Sequence, residues 1–502
     1  MTKSKIYLTL LLFFFAIYVL TGQGSIQSEE GKTLFLLTQA MVENQTLSFS
    51  DGVSLEDDSG PHYSKYGLGA SVLAIPFYLL GKLISLLLGI EASLATQFTV
   101  SMINAVLTAL SCGKVFLFAT ERFKFSSRTA WVLAMGFGLS TIAWYYSEDF
   151  MNEPATTFFL LSAVYWMTDH DSERRELNLL WAGIFLALAV SCRVSTLVAV
   201  PGFILYQGLV WAESKEKSMQ DLFSHLLRFA MPVITILILL MIYNYSRFAD
   251  PFATGDETFR GRFWLGLFGI LFSPGKLLFL FNPLTLFGCL AWLPFLRAQR
   301  KTALLFGWLI VSHLLLFSSW YSWQGGMSWG PRLMLVVLPY LILPIGFLLR
   351  EYMQAIKLPI IIALIAGVLI QLPSVTVNIS RYYYEMSQKF GSNGHDQILF
   401  SPEHSQLIGQ FKQVAVVFDN LDDSLQKVQM VSLAKRGEQF LGADVKVVLD
   451  NDLTVNAFNF WWYYLYLFGH PFYFWLLPPV VLMGVITLSG YKLYRYTGSS
   501  QS

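Results

Sequence analysis

The chain has 502 residues, of which 55% are hydrophobic and 13% charged, with a formal net charge of +1. A soluble domain carries roughly 25% charged residues, so an aqueous enzyme is excluded, and the near-neutral balance leaves no basic surface for nucleic acid. Runs close to the roughly 20 apolar residues needed to cross a bilayer recur along almost the whole length, which marks a polytopic membrane protein.

The opening "MTKSKIYLTLLLFFFAIYVLTGQG" has a basic start and a long apolar core without a small-x-small cleavage site, so it reads as an uncleaved first span. Hydropathy then places spans near residues 6–22, 95–119, 129–147, 153–168, 178–192, 195–212, 226–244, 276–296, 302–319, 333–349, 358–373 and 466–488. The basic connections "ERFKFSSR", "HDSERRE", "ESKEK", "RAQRK" and "REYMQAIK" and the tail "YKLYRY" fall on the side of the N-terminal "MTKSK". The positive-inside rule therefore puts both termini in the cytoplasm. One further apolar segment, residues 66–90, would reverse the sidedness of every later loop if it crossed, and is read as a juxtamembrane or re-entrant helix at the outer face.

The fold expected is all-α and polytopic, with about 12 transmembrane helices, outer-face juxtamembrane helices and a small α/β outer loop domain. Residues 1–373 form the transmembrane module, 374–465 the outer loop domain with strand-like "QVAVVFD" and "DVKVVLD", and 466–502 the last helix and tail. Cys112, Cys192 and Cys289 lie in apolar runs with neither disulfide nor metal-ligand spacing.

With this topology the outer face collects the unusual residues. Glu29 and Glu30 follow the first span in "SIQSEEGKTLFL". Such carboxylates are ordinary interface polarity, or, held partly desolvated, gain the proton affinity of a general base. "PHYSKYG" supplies His62 and Lys65, either interfacial anchors or, for Lys65, a point charge for a phosphate. "SEDFMNEP" brings Glu148, Asp149 and Glu153 to the end of a span pair. The helix dipole alone favours Glu153 there; the alternative is a second acidic group for an acceptor or a divalent cation. "WQGGMSWGPR" contains Trp329 and Arg332. An Arg at the outer end opposes the positive-inside trend and can clamp a phosphate bidentately. Arg193, Arg260, Arg262 and Lys276 add outward cations where an anionic headgroup resides.

An acidic pair after the first span, a Lys before a Gly-rich re-entrant helix, an acidic residue before the fourth span and a late "SWGPR" together resemble the GT-C superfamily of membrane glycosyltransferases. Within it the chain looks most like bacterial relatives of the protein O-mannosyltransferase and aminoarabinose lipid A transferase group, over residues 1–375. The acidic pair matches Glu29 and Glu30, where the family often has Asp-Glu. The family's Lys-Pro-Pro-Leu element looks like "SKYGLG", which keeps Lys65 and lacks both prolines, and its second acidic site resembles Glu153 in "MNEP". The resemblance implies transfer of a sugar from a polyprenyl-phosphate donor to a lipid, glycan or protein acceptor, usually with inversion, at the outer face of a bacterial inner membrane. Together with the residue readings above, it leads to the expectation that Glu30, Glu29 and Glu153 carry catalysis and that Lys65, Arg332, Arg193 and Arg262 hold the donor phosphate. His62, Asp149 and Trp329 are assigned to the acceptor or substrate, and a divalent cation is compatible with the two acidic sites. The rival class is a transporter or flippase for a lipid-linked precursor, which would gather charge near the bilayer midplane rather than at one face. The enzymatic reading requires Glu30, Lys65 and Arg332 to share one cavity.

Overall fold

The computed structural model describes residues 3–49, 62–169, 173–214, 218–253, 261–421, 458–467 and 470–498. Helix α1 (Lys3–Thr21) leads through Ser28 to α2 (Glu29–Gln39), and β1 (Ser48–Phe49) pairs antiparallel with β2 (His62–Tyr63). Helices α3 (Gly69–Leu88) and α4 (Ala92–Ser101) form a hairpin that turns at Gly89, whose φ of +66° favours glycine. Next come α5 (Ile103–Leu117), α6 (Ser127–Leu139), α7 (Ala143–Tyr146), α8 (Asn152–Met167), α9 (Arg175–Cys192), α10 (Val200–Ala212), α11 (Met219–Phe248) and α12 (Phe263–Phe272). A broken run, α13 (Leu278–Phe281), α14 (Thr285–Leu290) and α15 (Trp292–Ala298), precedes α16 (Arg300–Ser319), α17 (Leu338–Ile342) and α18 (Ile345–Thr376). Outside that bundle follow α19 (Ser380–Phe390), α20 (Gly394–Phe400) and α21 (Gln406–Asp419); α22 (Trp461–Leu467), α23 (Phe472–Trp475) and α24 (Leu477–Gly498) close the chain.

Helices dominate because a backbone in hydrocarbon must satisfy its polar groups internally. Among the described residues, eight helical stretches are long and apolar enough to cross a membrane. They include the 66–90 segment as α3, and continuous stretches over Ala92–Arg122 and Val194–Ala212. The predicted spans 276–296 and 333–349 are instead segmented. The break in the first has a local cause: Asn282, with φ −139°, precedes Pro283, and its amide donates to Leu278 O while its carbonyl oxygen accepts Ile142 N. In the second, Pro339 and Pro344 interrupt the backbone ladder.

The strand expected at "QVAVVFD" is not formed; these residues lie within α21. Its buried positions Gln406, Gln410, Gln413 and Val417 recur at helical spacing, so one face packs while Ile408 and Val416 fall on the exposed side. "DVKVVLD" lies outside the described residues.

Two polar ends bound the bundle. At one, Arg122 pairs with Asp169 at 2.8 Å, and Arg175 donates to Asp169 O (2.7 Å) and Met167 O (3.1 Å), covering carbonyls at the C-terminus of α8. At the other, Asn104 donates to Met151 O (3.1 Å) just before α8 begins. The 16 residues of α8 separate these ends by about 24 Å. Residues 92–103 run past Asn104 beyond the second end, and α3 packs against them, its leucines Leu83, Leu86 and Leu87 exposed. The hairpin thus stands at the end that holds Glu30 and Arg332.

That hairpin depends on a close approach at Gly81, where a Cβ would stand 2.5 Å from Thr96 Cα. Gly81→Val should force the helices apart and lower unfolding stability in detergent by about 1–3 kcal/mol. Gly208→Ala, on α10 with open space around its Cα, should leave the melting temperature unchanged or raise it.

Candidate active site

The first turn of α2 is built by its neighbours. The Ser28 side chain accepts from Gly31 N at 3.1 Å as an N-cap, while Asp149 fixes the segment leading in. Its carboxylate accepts Ser28 N at 2.9 Å, Gln27 N at 3.4 Å and Phe150 N at 2.7 Å. Gly31 is needed because a Cβ there would lie 2.4 Å from Phe150 O. The α7–α8 loop therefore grips the start of α2, and adjacent residues of one helical turn diverge by about 100°. Glu30 turns inward and is buried; Glu29 turns outward and is exposed.

Around this turn lies a cavity of about 920 Å³. Glu29, Glu30, Lys65, Arg193 and Arg332 all line it, so the residues required to meet do share one space. Lys32, Arg247 and Asn152 line it too, together with the apolar side chains Leu197, Leu237, Leu240 and Met241.

Four of the charges form an alternating chain. Glu30 Oε1 accepts Asn152 N (3.2 Å) and Asn152 Nδ2 (2.7 Å), and Glu30 Oε2 is ion-paired with Arg332 Nη2. Arg332 also donates from Nε to Glu153 Oε1 at 2.7 Å and from Nη2 to Oε2 at 3.2 Å. Arg193 Nη1 reaches the same Glu153 Oε1 at 2.5 Å. Glu153 sits in the first turn of α8, where the helix dipole favours an anion, and Arg193 immediately follows α9. Arg193 lies over the rings of Phe317 and Trp320 at 5.5 and 5.6 Å, a desolvated cation–π setting. Its Nε is buried with no acceptor among the described residues. Glu29 makes no ion pair or side-chain hydrogen bond among the described residues and is the carboxylate open to the cavity. Beside it, burial and the Glu153 and Glu29 carboxylates hold the Tyr66 phenol well above its ordinary value, so it stays a hydrogen-bond donor.

Several expected site residues stand elsewhere. Trp329 is fully buried, donating Nε1 to Gln371 Oε1 at 2.9 Å with its ring against Phe281, and cannot touch a substrate. Asp149 holds backbone amides instead of an acceptor. Glu153 is absorbed by two arginines and is off the cavity wall. His62, in β2, and Arg262, exposed at the start of α12, do not line the cavity either. Lys276 is buried, donating to Ser328 O at 2.6 Å, rather than outward-facing. Arg260 lies outside the described residues. Among those described, no three His, Cys, Asp or Glu side chains converge as metal ligands, and the oxygens of Glu30 and Glu153 are already taken by Arg and Asn donors.

Sequence reasoning missed Asn152 and Arg247. Asn152 was visible as the neighbour of Glu153 in "MNEP". Arg247 carried the same signal as Arg332, an arginine at the end of a span opposite the basic loops; it stacks on Tyr243 at 3.7 Å and donates Nη2 to Asn244 Oδ1 at 2.6 Å.

Behind the site, Glu148 is buried beside the Thr21 hydroxyl, and its two oxygens make no ordinary hydrogen bond among the described residues. Burial, with Asp149 adjacent, raises its carboxyl well above the usual 4.5. A raised folded value contributes stability below the unfolded value that is lost as pH rises past it. Relative to Glu148→Gln, the wild type should therefore lose melting temperature as pH rises above about 4.5, measured by thermal unfolding in detergent between pH 4 and 8.

The family described as dolichyl-phosphate-mannose-protein mannosyltransferase matches residues 80–243. No curated protein sequence matches the chain significantly. Among solved structures, ArnT from Cupriavidus metallidurans bound to undecaprenyl phosphate is similar at 12% identity and a TM-score of 0.50, over 96% of this chain and 75% of that one. The archaeal oligosaccharyltransferase AglB from Archaeoglobus fulgidus, in complex with an inhibitory peptide and a dolichol-phosphate, aligns at 11% identity and a TM-score of 0.46, over 80% and 61%. The resemblance to the GT-C superfamily of membrane glycosyltransferases is borne out, and this chain has their fold.

Proposed function

We propose that this protein transfers a sugar from a polyprenyl-phosphate donor to a hydroxyl acceptor at the outer face of a bacterial inner membrane, with inversion at the sugar. The observation that carries the proposal is the division of labour within one cavity: Glu29 is open to it, whereas the neighbouring Glu30 is fully engaged by Asn152 and Arg332. Glu29 takes the proton of the acceptor hydroxyl as its oxygen attacks the anomeric carbon. The bond from that carbon to the phosphate oxygen breaks, and the lipid phosphate departs as a dianion.

Lys65, Arg193 and Arg247 face that leaving group from three elements, and Arg193 brings a buried Nε that lacks an acceptor. Arg332 has most of its donors committed to Glu30 and Glu153, so it acts chiefly by holding those carboxylates as anions. The apolar side chains of α11 and Leu197 extend the cavity toward lipid, which suits a polyprenyl chain. The fold shared with a structure that holds undecaprenyl phosphate supports this donor class.

Glu29→Gln should lower turnover of a polyprenyl-phosphate sugar by about 100-fold or more while leaving the affinity for undecaprenyl phosphate nearly unchanged. Arg193→Ala or Arg247→Ala should weaken that affinity by about 10-fold or more, through loss of charge-assisted hydrogen bonds. Turnover can be followed by loss of sugar from a labelled lipid donor, and affinity by titration of Trp fluorescence. Full turnover in Glu29→Gln would refute the assignment of the base.

A further inference from the structure

The loop that delivers Arg332 is held from outside the bundle. It turns through Gly325, Gly326 and Gly330, all at positive φ (+73°, +73° and +56°), so its own backbone does not select one path. Its shape is set by donors and acceptors that reach in. Ser328 O accepts Lys276 Nζ at 2.6 Å and Gln406 Nε2 at 2.9 Å, and the Gln406 carbonyl oxygen accepts Gly330 N at 2.9 Å. Gly330 O in turn accepts Arg332 N at 3.0 Å. Gln406 also bonds the hydroxyl of Tyr383, whose side chain lines the cavity. Gln406, Lys276 and Ser328 are all buried, so water does not substitute for a lost partner.

Gln406 therefore spans both polar groups of one peptide turn, donating on one side and accepting on the other, two residues before the guanidinium that joins Glu30 to Glu153. It stands on α21, a helix beyond the membrane bundle that contributes nothing to the cavity wall. We propose that Gln406 is a positioning residue: through Ser328 and Gly330 it sets the seat of Arg332, and with it the ion pairs that hold Glu30 in place beside Glu29. The inference deepens the proposed function and rests on it for its catalytic consequence, though not for the coupling itself.

The test is a double-mutant cycle between Gln406 and Arg332 in the full-length protein, read in two ways. In thermal unfolding, Gln406→Ala and Arg332→Ala should each lower the melting temperature, and the double variant should fall little further than the larger single effect, because both remove the same ion pairs. In titration with undecaprenyl phosphate, Gln406→Ala should weaken binding about 10-fold in the wild-type background, because Arg332 shares Glu153 with the phosphate-facing Arg193, and less than about 2-fold in the Arg332→Ala background. A merely structural glutamine would give additive losses in both measurements, and additivity overturns the proposal. Should Gln406→Ala fail to fold, Gln406→Glu, which keeps the acceptor for Gly330 N and loses the donor to Ser328 O, serves in the same cycle with the same criterion. Coupled melting temperatures with undecaprenyl phosphate binding unchanged in every variant would leave the clamp standing and refute the donor site.

Discussion

One guanidinium organises this end of the molecule. Arg332 touches carboxylates from two helices, Glu30 of α2 and Glu153 of α8, and Glu153 passes the contact to Arg193 beyond α9. Isolated, any of these charges would be costly to bury; alternating in sign and sharing hydrogen bonds, they become a fixed joint. Removing one member leaves the others uncompensated, a loss of about 3–5 kcal/mol for a buried pair. The stability gained over an apolar joint of equal volume is small by comparison. What the joint supplies is specificity of arrangement, since only one register of the three elements satisfies every group.

The joint also explains why two glutamates sit side by side. A single carboxylate cannot be both locked by an arginine and free to exchange a proton. Neighbouring positions on a helix point about 100° apart, so one sequence step separates a buried, paired carboxylate from an exposed one. Glu30 is used to place α2 and Glu29 is what the placement presents. The cations divide similarly: Arg332 is spent on carboxylates, while Arg193 keeps a buried Nε with no acceptor among the described residues.

The sequence made the broad architecture legible because bilayer solvation imposes long apolar runs, and it made the cluster legible because arginine and glutamate at the end of a span are conspicuous. It did not separate Glu29 from Glu30, since both have the same neighbours in sequence and differ only in helical phase, which Ser28 and Asp149 set. Trp329 and Asp149 misled for a related reason: their type and position suit substrate contact, but a glutamine 42 residues away claims the indole N–H, and three backbone amides claim the carboxylate. Gln406 was invisible, being an ordinary polar residue a few positions before the "QVAVVFD" stretch whose β-branched composition suggested strand.

The grip on both ends of α8 has a consequence for where this protein can reside. Asn152 and Glu153 fasten its first turn to Glu30 and two arginines, while Arg122 and Arg175 fasten the other end about Asp169. A helix pinned at both termini cannot slide or tilt to follow a thicker or thinner bilayer. Adjustment to local hydrocarbon depth is left to the peripheral lipid-exposed helices such as α11 and α24, so lipid composition can change around the protein without altering the depth at which its cavity sits.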